Sequence, residues 1–406
     1  MLLEHFLNRV ITTGRLVVHL PGGSITSFGT SAPGAPSVTV RLEDKATARR
    51  IALNPVLGAG EAFMDGRLEI LDGDILALLD LVAGSLRWDW TNKNRVALWR
   101  STRFLARFQQ LNDRVRAKRN VAHHYDLGNR LYDLFLDKDR QYSCAHFTDP
   151  TNDLDVAQND KLAHIAAKLC LKPGQRVLDI GCGWGGLALY LHRACGGVSV
   201  TGITLSEEQL ATARKRAAEL GVGQHVDFQL LDYRAVTGEF DRIVSVGMFE
   251  HVGRPNYQTF FETIRDRLKP DGIALVHTIM RADGPGVTNP FTAKYIFPGG
   301  YAPALSEIIP AIERSWLWIS DIEVLRLHYA YTIEQWYKRV VAHRAEIESL
   351  YDSRFFRMWT FYLASAIVAF RHDGHCNAQI QLTRRRDAAP ITRDYMAQAE
   401  SELRKL

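Results

Sequence analysis

The chain has 406 residues, 46% of them hydrophobic, with 50 basic against 45 acidic side chains and a net charge of +5. This is the make-up of a globular protein with room for two or three domains, free of repeats and low-complexity runs. The opening residues Met1–His5 lack the basic-then-apolar order of a secretory signal, and the apolar stretch Met358–Phe370 falls short of the about 20 residues that span a bilayer. Five scattered cysteines (Cys144, Cys170, Cys182, Cys195 and Cys376) form no CxxC pair and no even set, so reduced thiols in a cytoplasmic protein are expected.

In chain order, residues 1–90 read as a small α+β domain. Val38, Val40 and Leu42 alternate like a half-buried strand behind Pro33 and Pro36. Asn54-Pro55 opens a helical segment, and Asp72-Gly73-Asp74 marks a turn before an Ile75–Leu81 helix. Residues 91–120 form a basic helical connector in which Arg95, Arg100, Arg103, Arg107, Arg114, Arg116, Lys118 and Arg119 cluster. Such a cluster suits an anionic surface, lipid or nucleic acid, or is simply a solvated helix face. Residues 121–406 read as one α/β unit. Its predicted strands are Arg176–Ile180, Val198–Ile203, Val226–Leu231, Arg242–Val246 and Ile273–Ile279, with helical patterns between them. That alternation implies a doubly wound, mostly parallel sheet with ligands at the carboxyl ends of its strands. Ile319–Leu325 and Gln379–Thr383 are candidates to complete the sheet, and the aromatic block Ile333–Phe370 between them reads as helical.

The most informative run is Val177-Leu178-Asp179-Ile180-Gly181-Cys182-Gly183-Trp184-Gly185-Gly186, a strand leading into a glycine-rich turn and then a helix. Glycines let the backbone approach a ligand and leave helix N–H groups pointing at it. The ligand is either a dinucleotide pyrophosphate or the amino-acid end of S-adenosylmethionine, and Gly181, Gly183 and Gly186 satisfy the dinucleotide spacing too. A dinucleotide site needs an acid at the end of the second strand to hold the ribose hydroxyls. Here that strand ends in Thr204-Leu205-Ser206, and Glu207 already lies in the next helix, so the nicotinamide reading loses its anchor.

The other strand ends carry a pattern. The second delivers Thr204 and, one helical turn on, Gln209; the third delivers Asp232 and Tyr233, an acid and a ring suited to adenine. The fourth delivers Met248–Gly253 with Glu250 inside it, and the fifth His277-Thr278-Ile279. A lone strand-end histidine is usually structural. Glu250 and His277 together, on the ligand edge of neighbouring strands, point to function.

These segments resemble the cyclopropane fatty acid synthase family of S-adenosylmethionine-dependent methyltransferases over nearly the whole chain. The likeness is carried by His124-Tyr125-Asp126 with Gly128-Asn129, Tyr142-Ser143-Cys144-Ala145, the glycine turn with Trp184, Thr204-Leu205-Ser206, Met248–Gly253, His277-Thr278-Ile279 and His328-Tyr329-Ala330. Gly60–Leu68 is similar to the amino-terminal domain of the bacterial phospholipid-acting branch, which the mycolic acid branch lacks. The resemblance implies a class I methyltransferase (Rossmann-like) fold for residues 121–406, behind a small domain for lipid docking or dimerisation. It implies that Tyr142, Ser143, Gly181, Gly183, Thr204 and Gln209 contact S-adenosylmethionine, with Asp232 and Tyr233 near the adenine, and that S-adenosylhomocysteine is the product. It also implies a bound bicarbonate as base, held by Glu250, His277 and Tyr329 and by main-chain groups of Cys144 and Ile279.

The chemistry calls for such a base. An isolated alkene is a poor nucleophile, so the sulfonium methyl must be held in line with it in a dry pocket. Transfer leaves a carbocation, and a ring closes only if the added methyl then loses a proton to a small anion nearby. Tyr295, Phe297 and Tyr301 are available for cation–π stabilisation or for lining. One departure from the family is Ala366, where some members carry a late-helix cysteine; Cys376 is too far along to replace it, so a covalent thiol route is disfavoured.

The expected function is therefore that of a cyclopropane-fatty-acyl-phospholipid synthase. The alternative is a related C-methyltransferase that leaves a methylated alkene or a branched chain. Expected partners are unsaturated phospholipid acyl chains at the inner membrane surface and a second copy of the chain, with no nucleic acid. Docking is expected through the arginine cluster with Trp88, Trp90 and Trp99.

Overall fold

A computed structural model of the chain describes residues 2–30, 34–86 and 128–406. The arginine cluster, Trp88, Trp90, Trp99 and His124-Tyr125-Asp126 lie outside the described residues. The described elements begin with α1 (Leu2–Val10), β1 (Gly14–His19), β2 (Ile25–Thr30), β3 (Ser37–Leu42), α2 (Lys45–Leu53), α3 (Pro55–Met64), β4 (Leu68–Asp72) and α4 (Ile75–Gly84). They continue with α5 (Gly128–Phe135), α6 (Leu154–Leu169), β5 (Arg176–Ile180), α7 (Gly186–Ala194), β6 (Ser199–Thr204), α8 (Glu207–Glu219), β7 (Val226–Leu230), β8 (Phe240–Val246), α9 (Tyr257–Arg267) and β9 (Leu268–Arg281). The last are α10 (Pro290–Tyr295), α11 (Leu305–Arg314), β10 (Trp318–Leu325), α12 (His328–Ala342), α13 (Arg344–Leu350), α14 (Ser353–His372), β11 (His375–Thr383) and α15 (Asp394–Leu403).

Contacts divide the chain into two compact units, and the division is not the linear one expected from sequence. The described parts of Met1–Thr102 group with Thr288–Pro298 and Ile333–His375; the second unit takes the described parts of Arg103–Val287 with Gly299–Thr332 and Cys376–Leu406. The aromatic helical block, expected inside a single 121–406 unit, therefore belongs with the amino-terminal elements. The reason is where its apolar face finds a partner: α14 packs on α3 and α4. Arg371 and His372 at its end reach Asp80 at 3.1 and 2.9 Å.

Within the first unit a four-stranded sheet runs β2-β1-β3-β4, with β1 and β3 parallel and the outer pairs antiparallel. Val38, Val40 and Leu42 point inward, as their alternation predicts, opposite Leu16 and Val18 of β1. Side chains cap the helices that follow: Asp44 accepts from Thr47 N (2.6 Å) and Asp74 from Ala77 N (2.7 Å). Pro55 opens α3 at a position where its missing N–H costs nothing.

Within the second unit a seven-stranded sheet runs β10-β11-β9-β8-β5-β6-β7. The pairs β5–β6, β6–β7, β5–β8 and β8–β9 are parallel, and β10–β11 is antiparallel. β5 lies within its predicted bounds, and the next three strands shift by a residue or two. β9 extends to Leu268 and Arg281, beyond the predicted Ile273–Ile279. Central β5 is buried from Val177 to Ile180, as a strand covered on both faces must be. No helix among the described residues is long and apolar enough to cross a membrane.

Candidate active site

The strand order reverses at β5: β6 and β7 continue from one side, β8 and β9 from the other. Such a switch point opens a crevice at the carboxyl ends of the strands. β5 delivers the glycine turn there, with Gly181 at φ +83° and Gly183 at φ +54°. These are left-handed conformations that only glycine adopts without strain. A Cβ on Gly181 would meet the Met248 side chain at 2.9 Å, whereas one on Gly183 would meet nothing within 4 Å. The open space at Gly183 is a cavity, and its wall gathers Tyr142, Ser143, Gly181, Gly183, Thr204, Gln209, Asp232 and Tyr233, the eight residues expected to face the cofactor.

The wall also holds residues that the sequence reading passed over. Asp179 is 1% exposed, and its Oδ2 is buried without a hydrogen-bond partner. Burial pushes its carboxyl up to about 7 against the pull of Lys161. An unpartnered carboxyl at a cavity wall suits a cationic group of a ligand, such as the α-ammonium of S-adenosylmethionine. The available signal was an acid inside the otherwise apolar Val177–Ile180 strand. His251 also lines the cavity, and burial lowers its pKa to about 4, so it is a neutral imidazole.

Buried polar side chains hold this wall in place. Lys161 of α6, fully buried, donates to Gln141 Oε1 (2.6 Å) and Ser143 Oγ (2.9 Å). Burial lowers its pKa to about 8, while Asp137 pulls the other way. Gln158, one turn earlier, donates to the main-chain oxygens of Gln141 and Ser143 at 3.1 and 3.0 Å. Tyr142 meets Tyr132 edge-on at 5.5 Å, and Trp184 Nε1 donates to Asn129 Oδ1 (2.8 Å), so α5 is joined to the glycine turn. Thr204 Oγ1 donates to Gln209 Oε1 (3.0 Å) across the start of α8. The Asp232 carboxylate is bridged at both oxygens by Arg234 (2.8 and 2.6 Å), whose guanidinium also lies 5.3 Å from the Tyr233 ring centre.

The residues expected to hold a base lie on β8, β9 and the segments around them. Glu250 follows β8 in a single 3-10 turn and is 7% exposed. Its Oε1 accepts from Ile279 N (2.5 Å), while Oε2 is buried without a partner. Burial pushes its carboxyl up to about 7, although the Ile279 hydrogen bond opposes the shift. The Ile279 N–H, expected to face an anion, is thus already engaged by Glu250. His277 is 1% exposed and held well below its usual pKa by burial, with Lys161 and Lys168 adding repulsion. Gly247 N donates to His277 O (2.9 Å), which continues the β8–β9 pairing past Val246.

Tyr329, also buried, sits in the first turn of α12, and that turn is bound to the Cys144–Phe147 segment from both sides. Ala145 N donates to Thr332 Oγ1 (3.0 Å), and Phe147 N donates to His328 Nδ1 (2.9 Å). Cys144 is buried, which pushes its thiol above the usual range, and its Sγ donates to Ala145 O (3.3 Å). Of the three aromatics held in reserve, Tyr301 belongs to this unit, and its main-chain N donates to Glu250 O (3.1 Å). Its hydroxyl donates to Glu307 (2.7 Å). Tyr295 and Phe297 group with the amino-terminal unit. Cys376 is buried at the start of β11 with its thiol pushed up to about 11, a poor nucleophile.

A second buried network lies along α6. His146 is stacked between His164 (4.2 Å) and His328 (5.0 Å). His164 bridges Glu400 through Nδ1 and Glu323 through Nε2, and Lys168 pairs with the same Glu323. Burial alone would lower the His164 pKa, but the two carboxylates outweigh it and raise it. Glu323 is held far below its usual 4.5, since the hydrogen bond and charge of His164 overcome its burial. A histidine with a raised folded pKa stabilises fully below its unfolded value of 6.5 and loses that contribution as pH rises through the folded value. Glu323 contributes above 4.5 and loses its contribution as pH falls. The melting-temperature deficit of His164→Gln should therefore be greatest between about pH 5 and 6.5 and shrink towards pH 9. A deficit constant across that range would contradict a charged His164.

Comparison with known proteins identifies the family of the chain. Residues 112–380 match the family model of mycolic acid cyclopropane synthetase. The cyclopropane-fatty-acyl-phospholipid synthase of Escherichia coli (strain K12) is 40% identical over 350 residues, covering 86% of this chain and 88% of that protein. The chain belongs to this family. The tuberculostearic acid methyltransferase of Mycobacterium tuberculosis is 35% identical over 374 residues, covering 88% of this chain and 86% of that one. Among solved structures, mycolic acid cyclopropane synthase CmaA1 complexed with SAH and CTAB superposes with a TM-score of 0.63 at 29% identity, covering 67% of this chain and 99% of that one. The fold is that of the class I methyltransferases, and the chain is an S-adenosylmethionine-dependent methyltransferase.

Proposed function

We propose that the chain is a cyclopropane-fatty-acyl-phospholipid synthase, adding one carbon across the cis double bond of a phospholipid acyl chain. The observation that carries this reading is the buried pair Glu250, in the turn after β8, and His277, on neighbouring β9, with Glu250 Oε2 unpartnered. When bound, S-adenosylmethionine supplies an electrophilic methyl group. Asp179 and the backbone at Gly181 and Gly183 would hold its amino-acid end, Tyr142, Ser143, Thr204 and Gln209 would contact it, and Asp232 and Tyr233 would lie near its adenine, all of them on the cavity wall. Glu250, with a carboxyl near pKa 7, carries a proton for much of the time and can donate from Oε2 to a small anion. Bicarbonate fits that donor and would supply the base, with His277, Tyr329 and the Cys144 main chain around it, while the Ile279 N–H holds Glu250 Oε1. The apolar, buried setting keeps water from a cation formed on the acyl chain.

A phospholipid substrate places the enzyme on the cytoplasmic membrane surface, docked through the segment Arg95–Arg119 and working as a homodimer. The 40% identical relative named for phospholipid acyl chains supports the ring-forming outcome over the methylated alkene. Expression in a bacterium lacking its own synthase tests the reading. Membrane fatty acids should gain the mass of one methylene, with cyclopropane carbon-13 signals and loss of the alkene signals. The same gain with a retained alkene would move the chain to the branching methyltransferases, and no gain would remove lipid methylation altogether.

A further inference from the structure

We propose that Lys168 and Gln379 are positioning residues that hold His277 as a neutral imidazole with its proton on Nε2. The inference rests on the reading of His277 as part of the base site. Lys168 is fully buried, and its ammonium is paired with Glu323. A lysine ammonium can only donate, so the Gln379 atom it meets at 2.8 Å must be the carboxamide oxygen. Gln379 then has its NH2 turned the other way, and that NH2 lies 3.2 Å from His277 Nδ1. An amide NH2 also can only donate, so Nδ1 is an acceptor and carries no proton. Burial keeps the ring uncharged, so the single proton is on Nε2.

The Asn377 amide nitrogen lies 3.4 Å from Nε2, and its Oδ1 is buried with no partner; since Nδ1 is already an acceptor, Nε2 carries the proton and the Asn377 amide is satisfied only with its two ends exchanged. Turned towards the ring, that oxygen accepts from Nε2–H over a distance long for a hydrogen bond. The proton is thus held loosely and is available to a stronger acceptor such as an anion. The consequence is chemical. His277 can donate a hydrogen bond into the site but has no free lone pair there, since Nδ1 is capped by Gln379. It orients and stabilises an anion and does not itself take up the reaction's proton. Lys168, Gln379, His277 and Asn377 are each at most 2% exposed, so water does not compete for these contacts.

The test reads the tautomer directly. In full-length protein carrying nitrogen-15 histidine, long-range proton–nitrogen correlation should show the His277 ring as Nε2–H, with the signal assigned by its absence in His277→Gln. Gln379→Glu places a carboxylate acceptor against Nδ1 and should move the proton there or charge the ring. In the same variant kcat should fall at least about tenfold while the dissociation constant for S-adenosylhomocysteine stays within about twofold, a split that general loosening would not produce. Neutron diffraction of the unaltered protein gives the same reading should Gln379→Glu fail to fold. A wild-type Nδ1–H ring, or a tautomer indifferent to Gln379→Glu, overturns the proposal. Nε2–H in a protein that makes no cyclopropane lipid supports the positioning role while the proposed function fails.

Discussion

Glu250→Ala should lower kcat about 100- to 1,000-fold, the range seen when one preorganised donor to a developing charge is removed. Binding of S-adenosylhomocysteine should change little, because Glu250 does not line the cofactor cavity. Titration calorimetry beside a lipid assay separates the two effects, and an equal loss of both would make Glu250 structural. The isosteric Glu250→Gln adds a stability readout. The Glu250 carboxyl rises from its usual 4.5 to about 7 on folding, chiefly through burial. Its contribution is therefore full below pH 4.5 and lost as pH rises through about 7. At about 1.36 kcal/mol per pH unit, roughly 3 kcal/mol is lost by pH 8. Glu250→Gln escapes that titration, so at pH 8 it should melt at or above the unaltered protein while making far less product. A Glu250→Gln protein less stable than the parent at pH 8 would mean that the carboxylate is better solvated than its burial implies.

Lys161→Met should cost about 3–5 kcal/mol of stability, the usual penalty for removing one partner from a buried charged network. The charge of fully buried Lys161 opposes the burial of both Asp137 and Asp179, and its ammonium donates to both Gln141 and Ser143. Without it the carboxyl of Asp179, already raised to about 7, loses the charge that opposes its burial. The Gln141–Ser143 wall also loses its anchor, so S-adenosylhomocysteine should bind at least about tenfold more weakly. Lys161→Arg should not rescue, because a planar fork cannot occupy the space of a compact ammonium. Denaturant unfolding and calorimetry together check this. Unchanged cofactor affinity in a destabilised Lys161→Met protein would confine Lys161 to folding.

Local pattern carried most of the fold and the cofactor wall. The apolar run at Val177–Ile180 ends at glycine, so β5 and its turn are readable within a single window. Once strands alternate with helices, parallel pairing sends every carboxyl end to one edge. Thr204 and Asp232 meet at the cavity there although they are scattered along the chain. The grouping of α14 with the amino-terminal elements was not legible, because its aromatic face would suit either unit. Only the presence of α3 and α4 as packing partners decides it.

The buried ionic lattice was equally hidden. Lys161, His164 and Lys168 on α6 carry polar or charged side chains, yet each is buried in the structure. Their partners are distant in sequence: His164 meets Glu400 across 236 positions, and Lys168 meets Gln379 across 211. Hydrophobic residues announce burial through their own chemistry, and glycine announces a turn through its own backbone. A polar side chain inside a protein is stable only when specific partners meet it. That meeting belongs to the folded chain alone, so the sequence shows where the ligand goes and the tertiary structure sets the charges and tautomers around it.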